Sequence, residues 1–387
     1  MKTMKRLLSL LMALLLVFTA ATAELVADED DAEEPVPEAT AAPDSDFVVD
    51  DEDDDVDISM FVIDDEAEAE LEAMDEQWEV DTSVDPDKLD LNTNLPDKVV
   101  NILLIGIDTR SKSMDAGMQR GDVQIVLSVN TEDGSIKLTS VMRDLYVTIP
   151  GYKSKARINT AYTKGGGQLA MRTINNLLEL NIQNYVTINF YGLASIIDAI
   201  GGIDIELTKT EAVAINAYLR KHPPAYDNKT DEERIPLEKV AGVQHLDGVQ
   251  AVMYARLREI DNDFNRTARQ RNLLELLLKK IMEDMSMDVL LNLVNTAMQY
   301  VKTNMSMDSI VRLAMQVMPA LMEKSSEGGS MLGQMRIPMG ENKAATWKYD
   351  QQGGSSVIVF RTAARRQENI EALHNFIYGE YIPSSAN

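Results

Sequence analysis

Aspartate and arginine stand at the ends of three apolar runs in the 387-residue chain. Asp108 closes VVNILLIGI, Asp122 opens VQIVLSVN, and Arg143 and Asp144 follow IKLTSVM. A second charged group lies later: Arg256, Arg258, Arg266, Arg269 and Arg271, with Asp261 and Asp263 among them. Guanidinium forks grip phosphate through paired N–H donors, which favours arginine over lysine for that task. Magnesium is held by one or two carboxylates while substrate phosphates complete its shell. Asp108 and Asp122 would supply that number if the fold joins their strand ends. Arginines and magnesium around a pyrophosphate form a charge clamp suited to phosphoryl transfer. A plainer reading also stands. The strand-end charges could only mark where buried strands reach water, and the arginine group could be a solvated ion-pair network of little energetic weight.

The elements that must position these groups follow from the pattern. Near-continuous Val/Ile/Leu runs predict strands covered on both faces. Charges at their ends fall where open sheets place their sites. LDGVQAVMYAR reads as a helix ending at Arg256, and an extended backbone beyond it would let Arg256 and Arg258 face one target. Arg266, Arg269 and Gln270 share one face at the start of an amphipathic helix, where free amides and the dipole favour an anion. NYVTINFYGLASIIDAIGGIDIEL reads as strand, apolar helix, Gly201-Gly202 stop and strand, a crossover unit. Gly165 to Gly167 precede a helical run but lack the lysine and hydroxyl of a P-loop, so they predict a turn. The tail offers a strand at Ser356 to Phe360 and a last helix, ENIEALHNFIYG.

Composition excludes several chemistries. The chain has no cysteine, hence no disulfide and no thiolate metal site. Its three histidines, His222, His245 and His374, lie in no triad-like or zinc-like context. The net charge of -26 is not spread evenly, because residues 24–90 carry about 30 acidic residues against the single Lys88. The rest is balanced, so no basic surface for nucleic acid is expected. Methionine is abundant at 22 residues, suited to a wall for a flexible apolar ligand or to ordinary core filling.

The opening MKTMKRLLSLLMALLLVFTAATA has three cations, an apolar run and a small-residue end at Ala21-Thr22-Ala23. It reads as an export signal, residues 1–23, cleaved or kept as a short anchor, with the remainder outside the cytoplasm. Residues 24–95 read as an acidic, largely disordered spacer that self-repels and extends. Phe61, Val62, Leu71 and Trp78 could form a docking helix near its end. A catalytic domain is expected over 96–285, with a helical extension and closing strand-helix over 286–387.

NILLIGIDTR, RGDVQIVLSVN, SVMRDLYVTIPG, RINTAY, GGID, HLDGVQAVMYARLR and DFNRTARQ occur in the order and spacing of LytR-CpsA-Psr proteins. From Val99 to Lys280 the chain resembles that family. The resemblance implies an α/β fold, with a mixed central sheet, helices on both faces and an apolar pocket for a polyprenyl chain. It implies a ligase that moves a wall glycopolymer from a polyprenyl-pyrophosphate carrier to a peptidoglycan hydroxyl, at the outer face of the membrane. By motif, Asp108 and Asp122 are then the Mg2+ carboxylates and Arg143 a pyrophosphate ligand. Arg256, Arg258 and Arg266 form the remaining clamp, with Asp263 orienting them. Arg157, Arg269 and Gln270 match further motif positions and are expected to bind the pyrophosphate as well. Leu177, Ile196, Ile197 and the Met-rich segments would hold the lipid tail. Met142 stands where proline is common in the family, and the acidic spacer lies outside the family core. The same residues would serve a polyprenyl-pyrophosphate hydrolase, and a non-catalytic envelope-binding or regulatory protein is the rival from another class.

Overall fold

The computed structural model describes residues 78–107, 120–221, 235–257, 301–306, 332–340, 347–352 and 355–384, with scattered positions between 269 and 317. The first three apolar runs form β1 (Val99–Ile107), β2 (Gly121–Asn130) and β3 (Ile136–Val141). Along β1, Ile102 and Leu104 enter one core layer, while Leu103, Ile105 and Ile107 enter another. All five are fully buried, so β1 is covered on both faces, as its near-continuous apolar run requires.

A short ribbon pairs β4 (Tyr146–Thr148) with β5 (Lys155–Arg157). Helix α1 (Thr160–Leu178) follows, broken at Gly165 and Gly166, where Gly166 has φ of 61°. The glycine run is therefore a turn inside a helical stretch. A Cβ at Gly167 would lie 2.5 Å from the Tyr185 ring, so only glycine lets α1 approach the sheet there.

Next come β6 (Asn184–Asn189), α2 (Phe190–Ala199), β7 (Ile203–Leu207), α3 (Lys209–Lys221), β8 (Gly242–Leu246) and α4 (Gly248–Arg256). The chain closes with β9 (Val301–Thr303), β10 (Leu332–Ile337), β11 (Trp347–Gln352), β12 (Ser355–Phe360) and α5 (Ala363–Tyr378). The central sheet runs β10-β3-β2-β1-β6-β9. β1 is antiparallel to β2 and parallel to β6, and β3 is antiparallel to β2 and parallel to β10. The carboxyl ends of β1, β3, β6 and β10 therefore share one edge with the amino end of β2. Helices α1 and α5 cover one face of the sheet, and α2, α3 and α4 cover the other.

The expected crossover unit is corrected by this topology. β7 does not return to the central sheet but pairs antiparallel with β8 in a separate ribbon. Its residues alternate buried and exposed, so IDIEL has one polar face and cannot serve as a doubly covered strand.

Residues 78–95, which composition places at the end of the spacer, pack on the domain. Leu89 is fully buried, Trp78 donates through Nε1 to Met305 O at 2.9 Å, and Asn92 donates to Glu179 O at 3.0 Å. Among the described residues no helix is long and apolar enough to cross a membrane. Residues 1–77, with the export signal and most of the spacer, lie outside the described residues.

Candidate functional site

The shared edge of the sheet gathers charge. Asp122 is the second residue of β2, and its neighbour Gly121 lies opposite Ile107, the last residue of β1. Arg143 follows β3 by two residues, and its Nη1 lies 3.8 Å from Asp122 Oδ1. Its Nε faces Asp144 Oδ2 at 3.4 Å, and Arg157 reaches Asp144 Oδ1 at 3.1 Å. Arg157 also donates through Nη2 to Ser356 O at 2.7 Å. These side chains are all partly buried, with 15–29% of each exposed, so their charges interact with less screening than on an open surface. The result is one polar chain from Asp122 through Arg143 and Asp144 to Arg157.

Asn159 extends this network. Its Nδ2 donates to Asp122 Oδ1 at 2.9 Å, and its backbone carbonyl accepts from Gly121 N–H at 3.3 Å. Asn159 occupies the N-cap of α1 without making a side-chain cap bond. The amide is thus committed to the carboxylate rather than to the helix. Sequence reasoning passed over this residue because asparagine before a helix is the ordinary capping choice.

Arg256 arrives from the opposite layer. α4 runs antiparallel to α2, tied by Gly248 N–H donating to Asp198 Oδ1 at 2.8 Å. A Cβ at Gly248 would lie 1.9 Å from Ala194 O, so this approach requires glycine. Asp247 and Gln250 form a capping box that fixes the start of α4. At the far end of α4, Arg256 Cζ sits 3.9 Å from the centroid of Phe190. Phe190 directly follows β6, whose last residue Asn189 pairs with Ile107. Arg256 is therefore held at the same edge as Asp122 and Arg143. This cation–π contact holds the guanidinium against the ring face at the sheet edge.

Asn189 is a second residue the sequence did not single out. It is fully buried and caps α2, its Oδ1 accepting from Gly192 N–H at 2.9 Å. Among the described residues its Nδ2 is a buried donor without a hydrogen-bond partner, which at a sheet end suits an oxygen-rich ligand.

Arg269 takes a different place. It is 4% exposed, with Nε 2.7 Å from Glu211 Oε1 and Nη1 donating to Leu257 O at 3.1 Å. Thr208 and Arg269 together hold the Glu211 carboxyl below its ordinary range, against a burial that opposes them. This pair ties the residue after Arg256 to α3. Asp108, Arg258, Asp263, Arg266 and Gln270 lie outside the described residues. Ile196 and Ile197 are buried in the α2 layer, but Leu177 lies in the other layer, so these three cannot line one lipid tail together. Among the described residues no three of His, Asp or Glu come together as a metal cage.

A mixed α/β sheet with helices on both faces and a carboxylate and arginines at its carboxyl edge belongs to the open-sheet class, whose sites lie at that edge. The sequence pattern of the LytR_cpsA_psr family matches residues 60–349, and the chain belongs to this family. A polyisoprenyl-teichoic acid–peptidoglycan teichoic acid transferase TagU of Enterococcus faecalis is 32% identical over 247 residues, which span 63% of this chain and 73% of that protein. Biofilm regulatory protein A of Streptococcus mutans is 29% identical over 222 residues, 55% of this chain and 52% of its own length. Among solved structures, protein gbs0355 of Streptococcus agalactiae superposes with a TM-score of 0.56 at 20% identity, over 74% of this chain and 90% of that one, which establishes the shared fold.

Proposed function

We propose that this chain transfers a cell-wall glycopolymer from a polyprenyl-pyrophosphate carrier to a peptidoglycan hydroxyl, forming a phosphodiester. The observation that carries the reading is the meeting of Asp122, Arg143 and Arg256 at one sheet edge in a member of this family. The Enterococcus faecalis relative is named for a transfer of this kind.

In the reaction the acceptor hydroxyl oxygen attacks the phosphorus that bears the glycan. The bridging P–O bond breaks, polyprenyl phosphate leaves, and the hydroxyl proton passes to a carboxylate, Asp108 or Asp122. Arg143 and Arg256 neutralise charge on the pyrophosphate oxygens, and because both are pre-placed they need no reorganisation as charge develops. Arg258, Arg266 and Gln270 complete the clamp, with Asp263 orienting the arginines. Arg157 acts through Asp144, holding it against Arg143. Asp122 offers hard carboxylate oxygens, the donor type magnesium takes, and one or two such groups suffice when phosphate fills the remaining positions. Asp108 and Asp122 would hold Mg2+, which when bound supplies positive charge against the pyrophosphate. The lipid tail lies on the α2/α4 face with Ile196 and Ile197. Export by residues 1–23 puts the domain at the outer membrane surface, and the acidic spacer separates the two.

The test incubates the full chain with a pyrophosphate-linked lipid glycan, peptidoglycan and magnesium. Covalent attachment of the polymer with one polyprenyl phosphate released per link is the expected result. Cleavage without attachment would replace transfer by hydrolysis, and binding without cleavage would make the protein a non-catalytic envelope binder.

A further inference from the structure

An open cleft of about 730 Å³ lies on the α1/α5 face of the sheet, away from the α2/α4 layer. Its lining includes Asp90, Tyr146, Lys155, Arg172, Asn176 and Phe360. None of these takes part in the clamp described above. We infer that this cleft is the acceptor subsite, binding the sugar backbone of a peptidoglycan strand so that one hydroxyl reaches the edge beside Arg157 and Arg143. The inference rests on the transfer reading and supplies the acceptor's place in it.

The register of the β4/β5 ribbon links cleft and edge. Tyr146 lies opposite Arg157, and Thr148 lies opposite Lys155. Opposed residues, and those two apart, project from the same side of a strand pair. Tyr146, Lys155 and Arg157 therefore share one side of the ribbon, while Val147 is buried on the other. Lys155 and Arg157 are separated by roughly 7 Å of strand. A chain lying in the cleft is led directly to Arg157, and from there through Asp144 to Arg143.

The lining suits sugars. Tyr146 and Phe360 supply flat apolar surface for the C–H faces of a pyranose ring. Asp90 presents a carboxylate fixed by Arg172 at 2.6 and 3.2 Å and by Asn176 at 2.7 Å. Such planar polar groups, locked before binding, match vicinal hydroxyls at small entropic cost. An isoprenoid tail is a poor occupant, because the cleft is open and carries four ionic side chains, Asp90, Lys155, Arg172 and Arg366.

Placement favours the same occupant. In-line displacement needs the attacking and leaving oxygens on opposite sides of phosphorus. With the lipid tail on the α2/α4 face, the acceptor approaches from the α1/α5 face, where the cleft lies.

The experiment measures binding of peptide-free glycan strands, with free stem peptides as a separate probe, to the full chain by calorimetry. Wild type, Asp90→Ala, Lys155→Glu, Tyr146→Ala and Arg143→Ala are compared, each checked by thermal unfolding. The expected result is strand binding that weakens at least tenfold in the three cleft variants and persists in Arg143→Ala. In the transfer assay the cleft variants raise KM for the acceptor at least tenfold and leave donor binding unchanged. Wild-type strengths in all folded cleft variants, binding of stem peptides alone, or no strand binding by wild type would overturn the inference. Strand binding at the cleft without any transfer by wild type would instead sink the transfer reading and leave the subsite standing as a glycan-binding site.

Discussion

Asn159 holds Asp122 through its side-chain amide at 2.9 Å and, through its backbone carbonyl, holds the strand residue beside it. The carboxylate is thus oriented by a buried neighbour that itself reaches no solvent, being 2% exposed. Removing the partner that orients a metal-binding side chain typically costs 10- to 100-fold in metal affinity or activity. Asn159→Ala should lower the transfer rate by roughly that factor while costing about 1 kcal/mol of stability. Asn159→Asp should be worse, because it sets a second carboxylate against Asp122. Transfer kinetics alongside urea unfolding check both. An Asn159→Ala protein of full activity would separate the amide from the site.

Arg143 bridges Asp122 and Asp144, so its fork geometry matters as well as its charge. Arg143→Ala should reduce transfer by about 100- to 1,000-fold, the usual cost of removing one donor to developing charge. Arg143→Lys should recover only part of this, since an ammonium cannot span two carboxylates in a plane. Initial rates at saturating donor decide the matter, and equal rates for lysine and arginine would show that charge alone suffices.

The Arg269–Glu211 pair should behave as a brace for the chain beside Arg256. Arg269→Ala leaves the partly buried Glu211 carboxylate without its ion-pair partner and should cost about 1–3 kcal/mol in urea unfolding. Replacing both partners, Arg269→Met with Glu211→Leu, should restore most of the stability. Transfer should recover along with stability in the double variant. If stability returns while pyrophosphate binding stays lost, Arg269 touches the donor after all.

His374 makes the closing helix sensitive to acid. It is fully buried, and desolvation depresses its pKa below the ordinary value of 6.5. Nδ1 accepts from Ile382 N–H at 3.3 Å, and Nε2 donates to Leu178 O at 3.0 Å, so a second ring proton would meet a donor. The neutral form is favoured in the fold. The stability it contributes is complete above pH 6.5 and falls as the pH drops toward the folded-state value, with a slope of at most about 1.4 kcal/mol per pH unit. Urea unfolding between pH 7.5 and 5 should show this loss in the native sequence and a flatter profile in His374→Gln. Parallel profiles would assign the acid sensitivity elsewhere.

The central strands were legible because β1 and β2 are near-continuous Val/Ile/Leu runs, and a doubly covered strand must place its charges where it leaves the core. That logic singled out Asp122 and Arg143, which lie together at one sheet edge, while Arg256 was read instead from the end of a helix. The limits were physical ones. β7 reads as a strand after a helix, but only its polar alternation tells that it forms a surface ribbon instead of rejoining the sheet. Helical spacing puts Arg266, Arg269 and Gln270 on one face, yet it is blind to Glu211 in α3, which claims Arg269. Asn159 and Asn189 carry the signature of helix caps, and their further commitments depend on strands distant in sequence.

The central claim is that the carboxyl edge of the sheet grips a pyrophosphate between Asp122, Arg143 and Arg256. The most direct test is calorimetric titration of the full chain with a short-chain isoprenyl pyrophosphate in magnesium, against the matching monophosphate. Wild type should prefer the pyrophosphate, and Arg143→Ala and Arg256→Ala should each weaken it by tenfold or more with little effect on the monophosphate. Equal affinity for the two ligands, or pyrophosphate binding indifferent to both arginines, would contradict the account.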